Sequence, residues 1–211
     1  MKKLPWTNSY KTYTNRVDLS VSRQGMFDDT YRRIPSEGWM FLPLTNYEGG
    51  GPAAWFEPLN QHKTEYDFAF AQYFGAGVQA CYRGDRVYDG PETKAIVQKW
   101  INFYKAYRYI LNGDLIHIRR ADMQTIDAYL HVRSERDGGI YRGLAMIFNP
   151  TSETLKDELE VPLYYTGLNS KALVILEGDR STAQEFELSR NYKITISIVL
   201  KPKSYTWILI Q

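Results

Sequence analysis

The stretch from Asn191 to Ile210 reads NYKITISIVLKPKSYTWILI, and it decides the fold of the second half of the chain. Apolar residues recur at every second position, which is the pattern of a β-strand. The Lys201-Pro202-Lys203 break divides the stretch into two strands, which we place at Tyr192–Leu200 and Tyr205–Ile210. The second half of the chain is therefore expected to be built from β-strands.

The same period of two begins near Leu115. It predicts six earlier strands, and Gly, Pro, Asn or Asp lies between most of them. Short strands at this spacing favour an all-β antiparallel sandwich, which we assign to residues 114–211. The six are Leu115–Ile118, Ala128–Val132, Gly143–Asn149, Glu158–Leu163, Lys171–Glu177 and Ala183–Leu188.

The first half of the chain shows a helical period instead. A helix is predicted from about Lys63 to Phe74, because its aromatic residues are four positions apart. A second helix begins after Asp89-Gly90-Pro91-Glu92, where Pro occupies the first turn and an acid lies beside the positive end of the helix. It ends at Asn112-Gly113. Its predicted apolar stripe is Ile96, Val97, Trp100, Ile101, Tyr104, Tyr107 and Leu111.

The apolar run Trp39–Leu44 is predicted as a strand buried on both faces, and Val78–Tyr82 as a second short strand. Strand, helix, strand and helix then read as βα units, so we interpret residues 1–113 as an α/β remnant of a (β/α)₈ barrel. A complete barrel needs about 250 residues, and at roughly 30 residues a unit this half holds at most about three units. The chain is therefore expected to be one end of a longer barrel protein, with a small α/β cap as the alternative.

Composition narrows the classes of function. The chain has 211 residues, a formal net charge of +2, an apolar fraction of 44% and one cysteine, Cys81. These values exclude a disordered chain, an intrachain disulfide and a cysteine-based zinc site, and they give no basic footprint for nucleic acid. No apolar run is long enough for a membrane helix. The 17 Tyr and 5 Trp suit both sugar binding and sandwich cores.

Three segments carry a resemblance to a known family. They are Phe74-Gly75-Ala76-Gly77-Val78, the helix end Phe103-Tyr104-Lys105-Ala106-Tyr107-Arg108-Tyr109-Ile110-Leu111, and Gly113-Asp114-Leu115-Ile116-His117-Ile118. In this order they resemble the last barrel strand, the last helix and the following β-sandwich of the α-galactosidase-like glycoside hydrolases. Segments 78–84, 143–150 and 162–168 more closely resemble uncharacterised bacterial proteins of that broad type.

The resemblance covers about residues 26–211, and it implies an architecture more than an activity. Members of the family are retaining enzymes whose nucleophilic Asp lies on a middle barrel strand, which would precede Met1. Their acid/base Asp lies in a Ser-Asp-x-Pro-Asn setting, and no such motif occurs in this chain. The family's catalytic residues therefore match no position here.

The residues themselves still suggest a sugar site. Active-site groups of barrels lie on loops after the strands, and glycosidases use carboxyl groups. Glu48 follows the strand Trp39–Leu44 within a Gly-rich loop, so it is the candidate catalytic acid/base. The candidate substrate-binding residues are Tyr47, Trp55 (as a stacking platform), Glu57, Arg83 and Asp85. The alternative is that Glu48 and these five residues are ordinary polar groups of loops.

Other chemistry is weakly represented. His117 and His131 fall on predicted strands and could be neighbours, but no third metal ligand is evident, so structural histidines are favoured. Cys81 lies in an apolar strand and is interpreted as a buried, inert thiol. Gly49-Gly50-Gly51 is followed by Pro52 and lacks the Lys-Ser/Thr of a phosphate loop. No metal and no cofactor are expected.

Three functions remain open. The favoured one is the C-terminal portion of a glycoside hydrolase-like protein, inactive alone, whose intact parent hydrolyses glycosidic bonds. The second is a non-catalytic carbohydrate-binding module, which requires exposed aromatic residues at 39–82 or on one face of the sandwich. The third is a purely structural module with buried aromatic residues and no pocket. Carbohydrate is the expected partner, without nucleic acid or membrane. The absence of an export signal predicts a cytoplasmic chain, with a periplasmic or secreted parent as the alternative.

Overall fold

The structure is a computed structural model, and it describes residues 58–77, 86–122, 124–134 and 139–211. These residues divide into two compact units, one ending at Tyr107 and the other beginning at Arg108. No helix among them is long and apolar enough to cross a membrane. The predicted strands Trp39–Leu44 and Val78–Tyr82 and the predicted buried thiol Cys81 lie outside the described residues.

In its described residues, the first unit contains one helix and most of a second, which pack on each other. Helix α1 spans Lys63–Gly75 and helix α2 spans Pro91–Leu111, so both predicted helices are confirmed. The Asp67 carboxylate of α1 accepts hydrogen bonds from Lys99 Nζ at 3.0 Å and from Trp100 Nε1 at 2.7 Å, both on α2. From Phe68 to Gly75, every residue of α1 is buried, which is typical of a helix enclosed on all sides.

Helix α2 begins at Pro91 with Glu92 in its first turn, as predicted, and Thr93 adds a cap that the sequence analysis did not foresee. Thr93 Oγ1, in the first turn, accepts hydrogen bonds from the backbone N–H groups of Asp89 and Gly90 at 3.1 Å each. Two N–H groups ahead of the helix are therefore satisfied by one side chain, as in the reciprocal half of a capping box.

On the buried side of α2, the predicted stripe needs correction at several positions. Ile96 and Ile101 are only partly buried, and Ile110, which lies outside the predicted stripe, is buried. Phe103 is buried at 7% exposure, whereas Tyr104 and Tyr107 are only partly buried.

The second unit is a two-layer antiparallel sandwich, as the sequence predicts. Eight strands form a six-stranded sheet in the order β1-β2-β3-β8-β5-β6 and a two-stranded sheet of β4 and β7. Each strand overlaps its predicted range. The strands are β1 Asp114–Arg119, β2 Asp127–Val132, β3 Gly143–Asn149, β4 Leu155–Pro162, β5 Lys171–Leu176, β6 Gln184–Glu187, β7 Lys193–Leu200 and β8 Ser204–Ile210.

The core of the sandwich lies between the two sheets. Alternate residues of β7, from Ile194 to Leu200, point into it and are at most 7% exposed, while Thr195, Ser197 and Val199 face outward and are exposed. The core residues of β2, β3, β5 and β8 meet them from the larger sheet. The opposite face of the larger sheet is also apolar and buried, with Tyr129, Met146, Phe148 and Leu209 at 0% exposure.

The barrel remnant is not confirmed. Within the described residues up to Gly113 there are two helices and a short 3-10 turn at Leu59–Gln61, but no strand. The predicted division at 113/114 stays a prediction. The α/β part of the predicted fold class therefore rests on segments outside the described residues.

Candidate functional site

The predicted sugar site cannot be placed. Its six residues, Tyr47, Glu48, Trp55, Glu57, Arg83 and Asp85, all lie outside the described residues, so their roles stay predictions.

The structure does describe the residues on either side of residues 78–85, and hydrogen bonds to α1 hold both of them. On one side, the Gly77 N–H donates to the Phe74 carbonyl at 3.0 Å, where α1 ends. On the other side, the Val87 carbonyl accepts a hydrogen bond from the Tyr66 hydroxyl at 2.6 Å. Gly77 and Val87 are thus each held by a hydrogen bond to a residue of α1.

Asp89, close to Val87 in sequence, adds two more hydrogen bonds. Its carboxylate accepts hydrogen bonds from the Asn60 backbone N–H and the Thr93 hydroxyl, each at 2.9 Å. Burial alone would raise the pKa of Asp89, but these hydrogen bonds outweigh burial and hold the pKa below its usual value. The carboxylate is therefore ionised at neutral pH, and it ties the turn before α1 to the start of α2.

The two strand histidines are brought onto the same face of the larger sheet. In the pairing of β1 with β2, His117 lies opposite Tyr129 and Leu115 lies opposite His131. His117 and His131 are thus diagonal neighbours. Burial lowers the pKa of His117 from 6.5 to about 4, so its imidazole is neutral at pH 7. Within the described residues, no group of three His, Cys, Asp or Glu side chains is placed to hold a metal ion.

The open grooves on the described part of the sandwich include two of different character. The larger has a volume of about 520 Å³ and a mostly apolar lining, with Phe186 and Ile198 among its walls. At its rim the Thr206 hydroxyl donates to the Glu177 carboxylate at 2.8 Å. The second groove has a volume of about 420 Å³ and a polar lining that includes Arg142, Asn169, Ser170 and Gln211.

The sandwich also carries a cluster of exposed aromatic residues, which sequence reasoning did not single out. It consists of Tyr164, Tyr165 and Tyr192, at 63%, 58% and 38% exposure, and we call it the tyrosine cluster. Residues 162–168 entered the sequence analysis only for their resemblance. The two adjacent tyrosines between strands were the available signal, but nothing in the sequence places Tyr192 beside them.

Comparison with known proteins gives structural similarity only. No family model matches the chain, and no curated protein matches it. A solved structure assigned as an α-N-acetylgalactosaminidase, from Bacillus halodurans C-125, has a TM-score of 0.48 and 14% identity. The match covers 81% of this chain and 36% of that one. A GH27 β-L-arabinopyranosidase from Geobacillus stearothermophilus has a TM-score of 0.44 and 10% identity, with 71% and 30% covered.

The solved structures similar to this chain include α-galactosidase-like glycoside hydrolases. This is the type of protein that the sequence resemblance implies. A structure assigned as an α-galactosidase, from Bacteroides fragilis NCTC 9343, has a TM-score of 0.45 and 11% identity, with 71% of this chain covered. The chain spans 29% to 36% of the length of these three structures.

Proposed function

We propose that this chain is the C-terminal portion of a glycoside hydrolase-like protein, and that it is inactive alone. The observation that carries the proposal is the order of the elements. A long helix ends at Leu111, the chain turns at Asn112-Gly113, and eight strands then form a two-layer antiparallel sandwich. This is the order that the sequence resemblance implies for the last helix and the C-terminal domain of the family. In the proposal, the sandwich braces a barrel that is largely supplied by preceding residues.

The proposed chemistry belongs to the intact protein. Hydrolysis of a glycosidic bond passes through an oxocarbenium-like transition state and requires a pair of carboxyl groups. Glu48 would act as a proton donor to the leaving oxygen or would hold a sugar hydroxyl. Trp55 would offer its ring face to the sugar, and Tyr47, Glu57, Arg83 and Asp85 would hydrogen bond to hydroxyl groups. No cofactor enters this reaction.

The test is hydrolysis of nitrophenyl glycosides by the longer protein. The panel comprises the α-galactoside, the α-N-acetylgalactosaminide and the β-L-arabinopyranoside. We expect Glu48→Gln to lower kcat/KM by about 10²- to 10⁴-fold, as for loss of a general acid. The control is Glu65→Gln, an exposed glutamate in the first turn of α1. Unchanged hydrolysis in Glu48→Gln would remove Glu48 from the mechanism, and no hydrolysis of any glycoside would contradict the proposed function.

The second candidate function is a non-catalytic carbohydrate-binding module. It is favoured by the exposed tyrosine cluster, because the module requires solvent-exposed aromatic residues on the sandwich. The two candidates differ in one measurable property. The longer protein of the first candidate hydrolyses a glycoside, whereas a protein of the second candidate binds sugar and hydrolyses none.

A further inference from the structure

The tyrosine cluster has the form of a small aromatic platform. Tyr164 lies at its centre, with ring centroids 5.3 Å from Tyr165 and 5.4 Å from Tyr192. Both ring pairs are close to perpendicular, at 89° and 78°, so ring faces are turned in different directions. In edge-to-face pairs the positive edge of one ring meets the negative face of the other, which stabilises the arrangement without any ligand.

The backbone holds the platform in place from two distant parts of the chain. Pro162 at the end of β4 pairs with Lys193 at the start of β7, and the Leu163 N–H donates to the Tyr192 carbonyl at 2.7 Å. The buried Thr166 hydroxyl donates to the Leu163 carbonyl at 2.6 Å and closes the turn that carries Tyr164 and Tyr165. The backbone segments that carry the three rings are therefore joined to each other.

Tyr192 is displayed at a conformational cost. Its φ is +56°, in the left-handed region that side chains other than glycine rarely adopt. A hydrogen bond of 2.9 Å from its N–H to the Ser189 carbonyl holds this tight turn. Glu177 and Lys203 also have a positive φ, so the conformation fixes the turn that displays Tyr192 and does not by itself mark a site.

The chemistry of the cluster favours a sugar chain. A pyranose presents apolar C–H groups on one face and hydroxyl groups around its rim. The C–H face packs on the negative face of an aromatic ring, and the phenol groups and the exposed Arg190 and Asn191 can hydrogen bond to the rim. We propose that the tyrosine cluster binds a glycan chain and so tethers the sandwich to a polysaccharide.

The surface at the cluster differs in composition from the two grooves. Among the described residues, the large exposed aliphatic side chains Leu176 and Val199 line the 520 Å³ groove, and Ile140 lines the 420 Å³ groove. The large hydrophobic residues exposed at the cluster are all tyrosines, whose ring faces and hydroxyl groups match both surfaces of a sugar.

The inference rests on the proposed function for the choice of a glycan over another ligand with an apolar face. It adds a contact that takes no part in bond cleavage and that needs none of the residues proposed for hydrolysis. The cluster would raise the local concentration of the substrate polymer around the parent protein.

The test is affinity electrophoresis of the full chain in native gels that contain galactomannan, arabinogalactan or soluble starch. We expect at least one polysaccharide to retard the wild-type chain. The double variant Tyr164→Ala/Tyr165→Ala should lose affinity by about 10-fold or more. Tyr164→Phe keeps the ring and should retain most of it. The matched control is Tyr88→Ala, which removes a tyrosine of 45% exposure in the other unit.

Three results would overturn the inference. They are no retardation by any of the three polysaccharides, equal retardation of the double variant, or a wild-type dimer that the double variant abolishes, which would make the cluster a self-association surface. Urea unfolding of each variant confirms that the fold is intact, since exposed substitutions cost little stability. Failure of the inference leaves hydrolysis of nitrophenyl glycosides by the longer protein unaffected, so it is distinguishable from failure of the proposed function.

Discussion

Asn149, the last residue of β3, offers the sharpest test of how the sandwich is held together. The side chain is completely buried. Its Nδ2 group has two N–H donors, which it shares among the carbonyls of Glu153 at 2.7 Å, Lys201 at 2.8 Å and Leu200 at 3.1 Å. Its Oδ1 accepts from the backbone N–H of Thr151 at 2.9 Å. One side chain thus joins the turn after β3 to the turn between β7 and β8.

The cost of Asn149→Ala follows from the groups that it leaves behind. The contact with the Leu200 carbonyl is buried, and a buried carbonyl without a partner costs about 1–3 kcal/mol. The contacts with Glu153 and Lys201 are partly buried, so water replaces some of each, and their loss adds roughly 0.5–1 kcal/mol apiece. We expect the free energy of unfolding to fall by about 3 kcal/mol, measured by urea unfolding.

Asn149→Asp sharpens this test because the Asp side chain has nearly the same shape as Asn and changes only the NH2 donor and the charge. A carboxylate at this place faces three carbonyl oxygens and loses the donor, so the variant should be less stable than Asn149→Ala at pH 7. The difference should shrink as pH falls toward 4, where the carboxyl group regains a proton. The control is Asn169→Ala at an exposed position, expected within about 0.5 kcal/mol of wild type. A loss below about 1 kcal/mol in Asn149→Ala would refute the reasoning.

Two further predictions follow from the sandwich. Because the pKa of His117 is lowered from 6.5 to about 4 in the folded state, the unfolded chain binds a proton there first, and stability falls as pH drops through this window. In His117→Asn, the drop in the free energy of unfolding across this pH window should be smaller by about 2 kcal/mol, a value reduced because the ring is partly exposed. An unchanged pH dependence of the urea midpoint in this variant would contradict the prediction. In Gly113→Ala the added Cβ would lie 2.2 Å from the backbone oxygen of Val132, so a loss of more than about 2 kcal/mol is expected. The matched control is Gly90→Ala, where the added Cβ meets no atom within 4 Å; equal urea midpoints for the two variants would contradict the steric argument.

The strands were predictable from the sequence because β7 keeps an apolar period of two, while β3 is a short, almost continuous apolar run that begins at a glycine and ends at an asparagine. The clearest boundary error is at β4, which begins at Leu155 rather than Glu158. There Lys156, Glu158 and Glu160 form an exposed face, and the charges hide the start of the strand.

The tyrosine cluster was not predictable in the same way. It exists because β4 pairs with β7 along the whole strand, although β5 and β6 lie between them in sequence. The pairing of distant strands depends on how the whole sandwich closes, which a local period does not encode. The predicted role of Glu48 also requires a second carboxyl group, which in the proposal belongs to barrel residues that precede this sequence. Patterns within this sequence cannot identify that group.

The size of the protein in its native cells tests the central claim most directly. An antibody against the sandwich, followed by intact mass of the captured protein, measures it. The account predicts a product several hundred residues longer than the 211 of this chain, since a complete barrel alone needs about 250 residues. A stable product near 24.6 kDa would contradict the proposed hydrolase portion and would favour a self-sufficient carbohydrate-binding or structural module.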